Sequence, residues 1–147
     1  MSLLDEIQNG PLAAELGPHV ADGNDQAIAD ILNRADIPAL GTISTNDFVI
    51  WAAASGQRAV IEDTASNVAD PLRSVGLALQ DLVRGNLQQG LDFSKPQTLA
   101  MAQAWKAAGK MTQEQYDSLM ALAATTVSRA QQLGISVDAM SVARALR

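Results

Sequence analysis

The chain has 147 residues, 48% of them apolar, with no cysteine and a formal charge of -6. That composition lies above the disordered range, rules out disulfides and thiolate metal sites, and suits one domain with a sizeable core. Seven carboxylates fall in residues 1–36 (Asp5, Glu6, Glu15, Asp22, Asp25, Asp30, Asp36) against one cation, Arg34, while residues 37–147 hold nine of each. A field of one sign steers partners of the other and repels phosphates.

In chain order the punctuation is helical. Ser2 and Asp5 can cap a first helix carrying Leu3, Leu4 and Ile7, which Asn9-Gly10 ends. A second helix carries Leu12 and Leu16, and Gly17-Pro18 is expected to break or kink it. Asp22-Gly23-Asn24-Asp25 reads as a turn with a ready cap. Asp25 to Asn33 then sets Ile28, Ile31 and Leu32 on one face.

Ile37 to Ile43, with Pro38 and Gly41, shows no helical period and reads as an extended connector able to pair with Leu91-Asp92-Phe93. Ser44 or Thr45 opens a helix with Phe48 and Trp51, stopped by Gly56, and another helix follows from Arg58 to about Ala65. Asp70-Pro71 is a strong start signal. Leu72, Val75, Leu79, Leu82 and Val83 then follow the helical period over about 71–84. Ser94 and Gln97 form one expected capping box, and Thr112 and Gln115 a second. The first opens a helix with Leu99, Ala102 and Trp105. The second leads to Tyr116, Leu119, Met120 and Ala123. The last helices run from Val127 to Leu133 and, capped by Ser136, from Val137 to Leu146.

The sequence thus predicts an all-α bundle of seven to nine short helices with a minor two-stranded β patch. It reads as a single domain, 1–147, with a soft boundary near 85–94. Leu72, Leu79, Leu82, Trp105, Tyr116, Leu119 and Met120 are expected in the core.

No catalytic set emerges, so no enzyme is expected. The only histidine, His19, follows Gly17-Pro18 and reads as a surface or capping residue. Glu62 and Asp63 are neighbours on a helix and point about 100° apart, so they cannot work as a facing pair. The Asp22–Asp25 turn lacks the alternating ligands and closing Glu of a calcium loop. Gly85 to Gly90 has the glycine spacing of a phosphate loop, but Leu91-Asp92 stands where Lys-Ser/Thr is required. Hence no metal and no cofactor are expected. Residues 127–147 resemble a helix-turn-helix. The N-terminal end of the second helix, however, holds Val137, Asp138 and Ala139, and its arginines lie at the far end. The chain's opening is acidic where a secretory leader is basic. No apolar run approaches the roughly 20 residues of a membrane span. Neither a leader nor a membrane association is expected.

Several strings resemble small proteins of tailed bacteriophages and prophages: MSLLDEIQNGPLAAEL at the start and DGNDQAIADILNR over 22–34. AWKAAG at 104–109, LMALA at 119–123 and VSRA at 127–130 are similar to the distal part of the same proteins. The resemblance implies a non-enzymatic structural or accessory protein of the head or tail that binds other virion proteins. Symmetric homo-oligomers or multiple copies would occur in the particle, and the protein would pass through the host cytoplasm before assembly. The expected docking element is the acidic segment, through Asp5, Glu6, Glu15, Asp22 and Asp25. Two other readings are a DNA-binding regulator using residues 127–147 and a phage-encoded inhibitor of a host enzyme.

Overall fold

The structure, a computed structural model, describes residues 2–147. Its elements are α1 (Leu3–Asn9), α2 (Ala13–Ala21), α3 (Asp25–Asn33), β1 (Ile37–Leu40), β2 (Thr42–Ile43), α4 (Thr45–Ser55) and α5 (Gln57–Ser66). There follow α6 (Arg73–Val83), β3 (Leu91–Asp92), α7 (Pro96–Ala107), α8 (Gln113–Ala123), β4 (Ala124–Val127), α9 (Arg129–Leu133) and α10 (Ala139–Leu146). The all-α class with a minor β component is what the periodicity predicts. The expected pairing also forms: Thr42 faces Asp92 and Ile43 faces Leu91 in an antiparallel pair. A second two-stranded sheet joins β1 and β4.

The chain divides into two compact units. A terminal unit combines Met1–Pro38 with Thr126–Arg147, and a central unit spans Ala39–Thr125. The 85–94 loop, expected as a soft boundary, lies inside the central unit. Each unit has its own apolar cluster.

In the terminal unit Ile7, Leu16, Ile28 and Leu32 from α1–α3 pack with Ala130, Val137 and Val142 from α9 and α10. Ser2 caps α1 by accepting the Asp5 N–H at 3.1 Å, and Asn24 caps α3 by accepting the Ala27 N–H at 3.1 Å. Two expectations are corrected. First, of the expected break or kink at Gly17-Pro18 the break does not occur: α2 runs from Ala13 to Ala21 with Pro18 inside it. Pro18 forfeits one helical hydrogen bond, but Leu16, wholly buried, holds that turn against the core. Second, Asp138 and not Ser136 caps α10, accepting the Ser141 N–H at 2.7 Å. Val137 must be buried, and its carbonyl accepts the Asn33 side-chain amide at 2.7 Å, so the chain stays extended one step longer.

The central unit packs Phe48, Ala52, Ile61, Leu79, Trp105 and Leu119 around one core. Of the expected core residues, Leu79, Leu82, Trp105 and Leu119 are buried, while Leu72, Tyr116 and Met120 are half-buried against them. Helices α5 and α6 approach closely because position 76 is glycine: a Cβ there would lie 3.0 Å from the Ala65 nitrogen and from the Thr64 methyl. Gly90 is also required. Its φ is +67°, and a Cβ would collide with the Ile43 carbonyl. The Thr112/Gln115 capping box forms as expected. The Ser94/Gln97 box does not, because the Ser94 hydroxyl and N–H both donate to Asp92 Oδ1, at 2.5 and 3.0 Å. Lys95 takes the cap position without a side-chain bond, and Pro96 sits just inside the helix.

Candidate functional site

The five acidic residues expected to dock a partner fare differently. Glu6 is not a surface residue at all. Its side chain has no solvent exposure and grips Arg129 in a two-pronged ion pair, Nε to Oε1 at 2.5 Å and Nη2 to Oε2 at 3.0 Å. The buried carboxylate raises the pKa of the Arg129 guanidinium further above its usual value. Glu15 accepts two hydrogen bonds from Arg34, at 2.8 and 3.1 Å, and Arg34 also donates to Asp36. Arg34 thereby holds the Glu15 carboxyl below its ordinary range. Asp25 pairs with Arg147 at 2.7 Å.

Among the described residues, Asp5 and Asp22 alone of the five have no cationic partner, and both are exposed. Asp5 accepts the Asn9 side-chain amide at 2.9 Å. Three of the five are therefore paired within the terminal unit, two of them with arginines more than a hundred residues away in sequence. A charge count along the chain misses this, because Arg129 and Arg147 belong to the same folded unit as Glu6 and Asp25. That unit holds eight carboxylates (the seven of residues 1–36 and Asp138) and four arginines (Arg34, Arg129, Arg144, Arg147). It stays net acidic, but less so than the first quarter read alone.

The same pairs bear on the helix-turn-helix resemblance. Arg129 and Arg147, two of the three cations in residues 127–147, face carboxylates of the terminal unit and are not free to meet phosphates. The first residues of α10 present Ala139 and Met140 behind the Asp138 cap. Hydrogen bonds from the Ser141 backbone and hydroxyl keep the Asp138 carboxyl below its usual pKa, so the cap is anionic at neutral pH.

The remaining polar clusters are structural in geometry. Glu62 accepts from Gln80 at 2.7 Å and from Arg84 at 2.8 and 3.2 Å, which lowers its pKa, while Asp63 is exposed beside it. Lys110 pairs with Asp70 at 2.5 Å and lies 5.6 Å from the Trp105 ring centroid. Gln57 is buried, and sequence reading gave it no role. Its amide donates to the Lys110 carbonyl at 2.9 Å and to Gln115 Oε1 at 3.0 Å, and its carbonyl accepts the Trp105 indole N–H at 3.0 Å. A polar residue on the apolar face of α5 was the signal that could have found it.

His19 is half-buried in the last turn of α2. Among the described residues no three His, Asp or Glu side chains converge as a metal site needs. No helix of the described residues is long and apolar enough to cross a membrane. The central unit contains a cavity of about 30 Å³ lined by Phe48, Trp51, Met101, Trp105 and Met111. A single water needs roughly 10–15 Å³ and benzene fills a cavity of about 150 Å³, so this space is too small for an organic ligand.

Several large apolar side chains also stand open to solvent. Ile50, Val68, Leu77, Leu87 and Leu122 are exposed on the central unit, and Leu4, Ile135 and Met140 on the terminal unit. Val68 is the extreme case at 83% exposure. Its loop is fixed on both sides. Asn67 Oδ1 accepts the Ala69 N–H at 3.1 Å, the Asp70 N–H donates to the Asn67 carbonyl at 3.0 Å, and Asp70 Oδ1 accepts the Leu72 N–H at 2.8 Å. Lys110 then anchors the other oxygen of Asp70. Comparison with known protein families, with curated proteins and with solved structures gave no match to this chain.

Proposed function

We propose that this chain is a non-enzymatic structural or accessory protein of a tailed phage, and that it works by binding neighbouring virion proteins. The observation that supports binding most directly is Val68: an apolar side chain held in water by a turn with few degrees of freedom left. Apolar side chains that dock without further ordering lose little entropy on binding, and exposed apolar groups mark contact surfaces. The phage context is supported by the likeness of residues 1–16, 22–34, 104–109, 119–123 and 127–130 to such proteins.

The docking role of the acidic segment narrows to Asp5 and Asp22. Glu6, Glu15 and Asp25 act inside the terminal unit, through Arg129, Arg34 and Arg147. The test is incorporation. Mass spectrometry of purified particles should recover the chain, and Val68→Asp should lower its copy number while circular dichroism stays unchanged. Absence from particles, or undiminished incorporation of the variant, would refute the proposal.

A further inference from the structure

Asn9 is the only asparagine of the chain that is followed by glycine. Asparagine is thermolabile, and a following glycine, with no Cβ in the way, lets the next backbone nitrogen reach the side-chain amide. Residue 10 has no room to be anything else. A Cβ there would collide with the Glu6 carbonyl and lie 2.5 Å from Glu6 Cδ and Oε1. The carboxylate that Arg129 grips is thus packed against the α-carbon of Gly10, and it obliges Asn9 to keep a glycine as its neighbour.

The same packing keeps both reacting groups engaged elsewhere. The Gly10 N–H donates to the Glu6 carbonyl at 2.9 Å, and the Asn9 side-chain amide donates to Asp5 Oδ1 at 2.9 Å. Glu6 and Ile7, both buried, fix this last turn of α1 to the terminal unit. Asn9 itself is exposed to water. Reaction between residues 9 and 10 needs both hydrogen bonds to open, which is a local unfolding of one helical turn.

We propose that Asn9-Gly10 is a self-modification site latched by the Glu6–Arg129 pair. When the last turn of α1 opens, solvent hydroxide takes the Gly10 N–H proton and the nitrogen attacks Asn9 Cγ. The N–Cγ bond forms, the Cγ–Nδ2 bond breaks, and ammonia departs with a proton drawn from water, leaving a five-membered succinimide. Water then opens the ring. Cleavage of the N–Cγ bond gives aspartate, and cleavage between the Gly10 nitrogen and the Asn9 main-chain carbon gives isoaspartate; nothing is oxidised or reduced. Either product replaces the amide that bonded Asp5 by a carboxylate four residues from it, and like charges at that spacing weaken a helix. Isoaspartate also adds one carbon to the main chain between residues 9 and 10, which moves the Gly10 N–H off the Glu6 carbonyl. A turn that has reacted re-closes less well, so the site records past openings. None of this depends on what the chain binds.

The test incubates the intact chain in mildly alkaline buffer and follows ammonia release together with aspartate and isoaspartate at residue 9 by peptide mass mapping. The chain unfolded in urea supplies the open-state rate. The folded parent should react more slowly by about tenfold or more, and by a factor that matches the protection of its Gly10 amide against hydrogen exchange, since one opening gates both. Arg129→Met should speed the folded-state reaction by about tenfold or more, as loss of one member of a buried pair loosens the closed turn. Arg129→Lys keeps the charge, loses the two-pronged grip and should fall between the two. Gln57→Leu, which acts in the central unit, should leave the rate unchanged. Asn9→Asp, the stand-in for one product, should let the Gly10 amide exchange faster than in the parent.

A folded parent that reacts as fast as the unfolded chain would overturn the proposal, and so would an unfolded chain that stays unmodified at residue 9. Should circular dichroism show Arg129→Met to be unfolded, Arg129→Lys decides: a rate equal to the parent's, or no faster than that of Gln57→Leu, would refute the latch. A modification rate out of step with Gly10 exchange in the unaltered chain would refute it without any variant.

Discussion

The Glu6–Arg129 pair makes a sharp prediction, because burial and geometry set its magnitude. Arg129→Met leaves the Glu6 carboxylate, whose side chain has no solvent exposure, without its cation. Breaking a buried pair from one side costs about 3–5 kcal/mol, mostly the desolvation of the charge left behind. A domain is stable by only about 5–15 kcal/mol, so the terminal unit should lose a large part of its margin. The double variant, Glu6→Met with Arg129→Met, removes both charges and keeps similar volume on α1 and α9. Buried pairs replaced in this way are often neutral or gain about 1–4 kcal/mol. Urea unfolding followed by far-ultraviolet circular dichroism should therefore show the single variant far less stable than the parent and the double variant close to it. Loss of less than about 1 kcal/mol in the single variant would mean that water reaches Glu6. A double variant as unstable as the single one would mean that shape, and not charge, holds α9 to α1.

Gln57→Leu should destabilise the central unit by about 2–4 kcal/mol, since the Trp105 indole N–H and the Lys110 carbonyl lose their buried partner; urea unfolding followed by tryptophan emission reads it. Gly76→Val should cost about 1–3 kcal/mol in the same assay, because the side chain would press on Thr64 and Ala65. The Lys110 ammonium and the Leu72 N–H hold the Asp70 carboxyl below its ordinary pKa. A lowered folded-state pKa stabilises above the unfolded value and is lost as pH falls through the folded one. Thermal midpoints should therefore drop on acidification into and below the usual carboxylate range, and Asp70→Asn should flatten that dependence. An Asp70→Asn profile as steep as the parent's would refute the assignment.

Local signals carried most of the architecture. The α3 span, the Thr112/Gln115 box and the pairing of Thr42-Ile43 with Leu91-Asp92 all follow from periodicity and turn chemistry that act over a few residues. The failures share one cause, a long-range demand that overrides a local preference. Ser94 bonds Asp92 and leaves its cap role. Ser136 yields to Asp138 because Val137 is drawn into the core and onto Asn33. Helix α2 survives Pro18 because Leu16 is buried. The ion pairs inside the acidic segment were hidden for the same reason on a larger scale. Glu6 and Asp25 find their arginines 123 and 122 positions away, and no window along the chain brings those partners together.

The interleaving of the two units in sequence also fixes an order of events during synthesis. Residues 1–38 emerge first with Ile7, Leu16, Ile28 and Leu32 ready to pack, yet their partners Ala130, Val137 and Val142 are translated only after the whole of Ala39–Thr125. At about 5–20 residues per second the nascent amino-terminal helices wait several seconds for the strands of chain that shelter them. A ribosome that stops short of residue 126 thus releases a product damaged at its beginning as well as at its end.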